Sequence, residues 1–193
     1  MQVLDASCNI AITDHSIKHM KLHTLYAGYN ENITDDAIRC LNLRVLDASF
    51  NSQISDHGIK HLNLHTLYTH YNHNITDNGI KSMSLTNLNA SLCNSITDQG
   101  MVGLATKHLK LKELNVSYNT NITNESLKHL YLDKLNITGN TSITDQGIKH
   151  MKLKSLTAVG EDCKITDDGI IDMNLHTLIV SYNNNITDEG MVV

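Results

Sequence analysis

Two pairs of histidines stand four residues apart, His15 with His19 and His57 with His61. On a helix that spacing puts both imidazoles on one face, where they can bind Zn²⁺. A zinc site needs further ligands, however, and the Asp beside each pair is expected to cap the helix instead. The slot of His19 is also refilled by His61, His129 and His150, and by Ser82 and Asp172 elsewhere. Such interchange marks a solvated position, so no metal is expected. Four cysteines (Cys8, Cys40, Cys93 and Cys163) form no Cys-x-x-Cys and have no local Cys/His/Asn order. Cys40 is placed in the apolar register of a helix and Cys93 in a row of structural polar residues, which makes them packing thiols. The glycines Gly58, Gly79, Gly100, Gly147, Gly169 and Gly190 share one slot at a helix start, for close packing, and form no phosphate loop. No nucleophile-elbow, zinc-protease or kinase signature is present. The expectation is a chain with no catalytic residue and no cofactor.

The elements that carry these residues recur. The stretch Leu22-His-Thr-Leu-Tyr-Ala-Gly-Tyr-Asn-Glu-Asn-Ile-Thr-Asp35 has the skeleton L-x-x-L-x-A-x-x-N-x-x-I-T-D. Its Ile returns at Ile12, Ile33, Ile54, Ile75, Ile96, Ile122, Ile143, Ile165 and Ile186, at intervals of 21, 21, 21, 21, 26, 21, 22 and 21 residues. A fixed period in this range means a solenoid. Each turn opens with a short strand, such as Val3-Leu-Asp-Ala6, whose Leu and Ala point inward. Nine strands stacked in parallel at ~4.8 Å make a ladder roughly 40 Å long. An Asn row follows (Asn9, Asn30, Asn51, Asn72, Asn119, Asn140 and Asn183), able to satisfy buried backbone groups of its own turn and the neighbouring one. Cys93 takes its place in the fifth turn. The turn Val159-Gly-Glu-Asp-Cys163 has one extra residue and no Asn, which predicts an irregular turn. Thr-Asp then starts a short convex helix, either side chain being able to cap it, with Ile17 and Met20 facing inward. The 26-residue interval predicts one well-formed helix, Asp98 to Leu109, with Met101, Leu104 and Leu109 inward.

These motifs resemble the leucine-rich repeat. The added Ile-Thr-Asp-x-Gly-(Ile/Met), as in Ile96-Thr-Asp-Gln-Gly-Met101, resembles the cysteine-containing subclass of F-box/leucine-rich-repeat proteins. The resemblance implies an α/β fold, a right-handed solenoid of nine turns, with a parallel sheet on the concave face and short helices on the convex face. It also implies target recognition of the kind those ubiquitin-ligase subunits perform. No F-box precedes the repeats in residues 1–193, so the expected module holds a target without recruiting the ligase itself. The whole chain reads as a single repeat domain, uncapped at both ends, whose open edges could pair with a second copy.

A protein partner is expected on the concave face. One outward lane runs Asp5, Tyr26, Asp47, Tyr68, Asn89, Asn115, Asn136, Thr157, Ile179. A second includes Ser7, Gly28, Ser49 and His70, and a third, nearer the strand start, includes His23, Arg44 and His65. The first half therefore holds the anchor types, namely Asp5, His23, Tyr26, Arg44, Asp47, His65, Tyr68 and His70, and the second half mostly Asn, Ser and Thr. The competing explanation is a 42-residue internal copy, since Val3 to Tyr26 recurs at Val45 to Tyr68. A further row, Tyr29, Phe50, Tyr71, Leu92, Tyr118 and Tyr182, is expected to stack along the edge as packing.

Net charge is −5 with no basic block, which argues against nucleic acid or anionic membrane as a partner. No apolar run approaches the ~20 residues of a membrane helix, and no signal-peptide pattern opens the chain. Cysteines scattered over four turns suit a reducing, cytoplasmic setting. The Asn-Ile-Thr sequons at Asn32, Asn74, Asn121 and Asn185 are by-products of the repeat. The absence of Pro and Trp beside abundant Asn, Ile and Lys resembles AT-rich coding, as in giant amoebal viruses or protists. Protonating all 12 histidines would carry the formal charge from −5 to +7, so acid is expected to loosen the array.

Overall fold

The computed structural model describes residues 2–106 and 111–191. Alternation of one inward Leu between two outward residues produces three-residue strands: β1 Val3–Asp5, β2 Thr24–Tyr26, β3 Val45–Asp47, β4 Thr66–Tyr68, β5 Asn87–Asn89, β6 Glu113–Asn115, β7 Lys134–Asn136, β8 Ser155–Thr157 and β9 Thr177–Ile179. They form one parallel nine-stranded sheet in sequence order, with the repeat's own register, Leu25 on Leu46 and Tyr26 on Asp47. The inward Leu25, Leu46 and Leu67 are fully buried, and so are the small residues after them, Ala27, Ala48 and Thr69. Small side chains there let the helical layer approach the sheet. This is an α/β leucine-rich-repeat solenoid.

Seven of the convex helices are single turns, such as α1 Asp14–Ile17, α2 Asp35–Ile38, α3 Asp56–Ile59 and α4 Asp77–Ile80. The longer interval yields the nine-residue α5, Asp98–Thr106, with Met101 and Leu104 buried as expected. Leu109 lies outside the described residues. Single turns follow again at α6 Asn124–Leu127, α7 Asp145–Ile148 and α8 Asp167–Ile170, and a 3₁₀ turn at Asp188–Met191. No helix among the described residues is long and apolar enough to cross a membrane.

The Asn row forms a buried ladder. Asn51 Nδ2 donates to the carbonyls of Ala27, Asn30 and Ile33 in the preceding turn, at 3.3, 2.6 and 3.0 Å. Its Oδ1 accepts the Gln53 amide of its own turn at 2.9 Å. Asn30, Asn72 and Asn119 each make the same three inter-turn donations. Cys93 substitutes with its thiol, 2.8 Å from the Asn72 carbonyl. The irregular turn lies where the extra residue predicts it. There Gly160 has φ +123°, and Asn183 keeps one donation to that turn, to Ile165.

The helix starts correct one expectation: Asp14 and Asp56, beside the histidine pairs, do not cap their helices but bond Thr34 and Thr76 of the next turn. Thr34, Ser55, Thr76, Thr97, Thr123, Thr166 and Thr187 accept the N–H two residues ahead and so cap their helices. The Asp after Thr34, Ser55, Thr76, Thr97 and Thr166 reaches across to the following turn instead. Asp35 Oδ1 accepts the Ser55 amide at 2.8 Å and its Oδ2 accepts the Ser55 hydroxyl at 2.6 Å. A Cβ at Gly58 would overlap this same Asp35 carboxylate, which explains the glycine slot.

Cys40 departs from expectation. It is exposed, its thiol directed at the Asp36 carbonyl at 3.3 Å. Helix α2 ends at Ile38, so helical periodicity does not reach it. The 21-residue period places Cys40 in the solvated slot of His19 and His61, while Leu41 beside it is buried.

Candidate functional site

The candidate site is built from the outward positions of the sheet. Strand pairing sets Asp5 beside Tyr26, Tyr26 beside Asp47, and Asp47 beside Tyr68. Parallel neighbours lie ~4.8 Å apart, so these side chains form one row. Asp47 ends its strand by accepting the Ser49 amide on Oδ1 at 2.9 Å, and Asp5 does the same for Ser7 at 3.0 Å. Those bonds from Ser7 hold the Asp5 carboxyl below its ordinary range. Tyr26, Asp47 and Tyr68 are half-buried. Burial holds the Tyr68 phenol above its ordinary range, with smaller contributions from Tyr26, Asp47 and Glu113. His70 joins this group, its ring bonded to the Ser91 hydroxyl and 4.8 Å from the Phe50 ring. Burial holds its pKa below the ordinary range, and Asp47 offsets part of that.

The other three anchors stand apart from the row. His23, Arg44 and His65 each precede a strand by one residue and lie exposed at its rim. Arg44 donates to the Asn63 carbonyl at 3.3 Å, and the His65 ring lies 3.2 Å from the same oxygen. They belong to the edge of the sheet rather than to its face.

Alternation from the buried Leu puts a further lane outward, and this one was missed: Val3, Thr24, Val45, Thr66, Asn87, Glu113, Lys134, Ser155 and Thr177. It could have been found by counting two residues back from Tyr26. In it Glu113 and Lys134 pair at 2.7 Å, and Lys154 reaches Asp133 at 3.4 Å on the adjoining rim. Short Asn side chains beside that lane leave a shallow groove of about 280 Å³ running from Tyr68 to Thr157.

The edge row has a conformation that the sequence did not announce. Cys8, Tyr29, Phe50, Tyr71, Leu92, Tyr118 and Tyr182 all lie in the left-handed region, at φ 52–62°. Tyr29 stacks on Phe50 at 4.1 Å and Phe50 on Tyr71 at 5.3 Å, as expected for an edge stack. The tyrosines of this row are nevertheless exposed, Tyr29 at 54% and Tyr71 at 53%, so the stack lies open to solvent.

The histidine pairs stand exposed on the convex side, and no three His, Cys, Asp or Glu among the described residues are grouped to hold a metal. Cys93 and Cys163 are buried, which pushes both thiols above their ordinary range.

Comparison with known proteins agrees on the fold. A leucine-rich-repeat family model matches residues 81–105, 107–130, 128–151 and 172–193. A chain from the crystal structure of the Rad7 and Elc1 complex in yeast aligns with TM-score 0.58 and 18% identity, over 74% of this chain and 44% of its own. A chain from the TLR13–ssRNA13 complex aligns with TM-score 0.66 and 21% identity, over 94% of this chain and 29% of its own. The chain thus spans less than half the length of either. At these identities the likeness is one of fold. No curated protein matches the sequence. The class the fold defines is therefore the leucine-rich-repeat solenoid.

Proposed function

We propose that this chain is a non-catalytic recognition module that holds a protein partner on the N-terminal half of its concave face. The observation that carries the reading is the row Asp5–Tyr26–Asp47–Tyr68, where aromatic and acidic side chains, half-buried from Tyr26 onward, stand in register on adjacent strands. Tyrosines presented on a rigid sheet lose little entropy on binding and supply large contact area. His70 extends the row, and His23, Arg44 and His65 give it a polar rim. We read residues 1–193 as one repeat domain acting inside the cell, where the free thiols would stay reduced.

Within that reading, the cysteine-containing repeat motif favours target recognition of the kind found in F-box/leucine-rich-repeat ubiquitin-ligase adaptors. The test is capture of partners from the native cell, with Tyr26→Ala/Tyr68→Ala as the paired control. The expected result is a partner lost from the double variant. A partner retained at full strength would remove the concave row from the reading.

A second reading rests on the end turns. Met173, Leu175, Leu178, Val180 and Ile186 are only partly buried, and Ile179 is 46% exposed. Apolar surface of this kind could pair with a second copy. Light scattering over a range of concentrations separates the two, since a strict monomer eliminates self-association.

A further inference from the structure

We propose that Tyr26, Asp47 and Tyr68 form a seat for one basic side chain of the partner, an arginine or lysine held over Asp47 between the two rings. This deepens the reading of the concave face as an interaction surface and rests on it.

The first ground is placement. Asp47 is register partner to Tyr26 on one side and to Tyr68 on the other. At ~4.8 Å per strand, a cation over Asp47 has each ring within the ~6 Å over which an aromatic face attracts it. Among the described residues of this lane, Asp47 is the carboxylate with a ring on each neighbouring strand.

The second ground is that the charge of Asp47 exceeds what its local structure requires. Its Oδ1 accepts the amide two residues ahead, ending the strand. Asn89, Asn115 and Asn136 occupy the same lane and make the same bond, at 3.0 Å each, without a charge. An asparagine at position 47 would therefore serve the turn. The 42-residue copy explains why the Tyr and Asp alternate. It does not explain a carboxylate where an amide suffices.

The third ground is that no cation among the described residues forms an ion pair with it. Glu113 and Asp133 are each paired with a lysine, Lys134 and Lys154. Among the described residues neither Asp5 nor Asp47 has an ion-pair partner within 4.0 Å. A half-buried carboxylate between two aromatic rings, on a chain of net charge −5, is complementary to a basic group. The planar guanidinium can also stack on the rings while it bonds the carboxylate.

The test uses the full chain and two probes, acetyl-Gly-Arg-Gly-amide and its neutral citrulline counterpart. Binding is followed by NMR on the tyrosine rings. The arginine peptide should move Tyr26 and Tyr68 and leave Tyr182 in place, and citrulline should move neither. Asp47→Asn should weaken binding by about tenfold, and Tyr26→Leu or Tyr68→Leu by about three- to tenfold each. An unchanged melting temperature of Asp47→Asn would show that the fold is intact. Equal binding of citrulline, or undiminished binding by Asp47→Asn, overturns the seat. If the seat fails while a captured partner is still lost from Tyr26→Ala/Tyr68→Ala, the face remains an interaction surface of other chemistry. If that partner is also retained, both readings fall.

Discussion

A single side chain in this array often serves two turns, and that sets the cost of removing it. Asn72 Nδ2 holds the carbonyls of Ala48, Asn51 and Ile54 at 3.0, 2.7 and 3.0 Å, all buried. Each carbonyl left without a donor costs ~1–3 kcal/mol. Asn72→Ala should therefore lower stability by at least about 2 kcal/mol in a urea melt. Asn72→Cys should cost less, because Cys93 already does this work with its thiol. Equal losses for the two would refute the ladder as a source of stability. His70 gives the array a pH dependence with a definite sign. Burial depresses its pKa below 6.5, so the folded state favours the neutral ring. Between the folded value and 6.5 the unfolded chain binds more protons, so stability falls as pH drops through that window and levels off below it. The melting temperature should be lower at acid pH than at neutral pH, and His70→Gln should shrink the difference. A difference that His70→Gln leaves untouched would clear His70 as its source.

At the scale of one element, the helix start is controlled by the preceding turn. Each capping hydroxyl donates its proton to that turn's Asp and accepts an N–H of its own helix. Two helices lack the cap. Thr13 makes no side-chain bond to its helix, and Thr144 faces Asn124, whose amide donates to the threonine oxygen at 2.9 Å. With that oxygen accepting from Asn124, it no longer accepts from its helix. Asn124→Asp should restore the cap and stabilise the chain by about 0.5–1 kcal/mol at neutral pH. No gain in a thermal melt would mean that the hydroxyl orientation does not govern the cap. The left-handed row carries a different constraint. Gly139 sits there at φ +63°, and a Cβ would meet the Tyr118 ring. Gly139→Ala should thus cost more than the ~1 kcal/mol of the backbone conformation alone, and Tyr118→Ala should relieve the excess.

Across the whole molecule, stability comes from interfaces between neighbours, so position along the array decides the cost of a core substitution. Leu67 is fully buried with a strand on each side, whereas Leu178 is partly exposed on β9. Leu67→Ala should cost about 2–5 kcal/mol, and Leu178→Ala clearly less. The broken ladder at Gly160 to Cys163 leaves the last turn with fewer bonds to the rest. Amide hydrogen exchange should show residues 177–191 opening at lower free energy than β3 to β7. Uniform protection along the array would contradict this weak joint.

The period of 21, the inward Leu and Ile, the Asn row, the one long helix and the irregular turn were all legible, because each depends on spacing within a turn. The row Asp5–Tyr26–Asp47–Tyr68 was legible for the same reason, since a constant period puts equivalent residues on adjacent strands. Tertiary structure alone decided where the Asp carboxylates bond, why glycine follows them and which threonines cap, since those contacts cross to a turn 20 or more residues away. It alone revealed the left-handed edge row, whose Tyr and Phe give no local signal for positive φ. It also left His23, Arg44 and His65 in solvent one residue before their strands, where strict alternation from the buried Leu would have turned them inward, because a strand of three residues ends the alternation there.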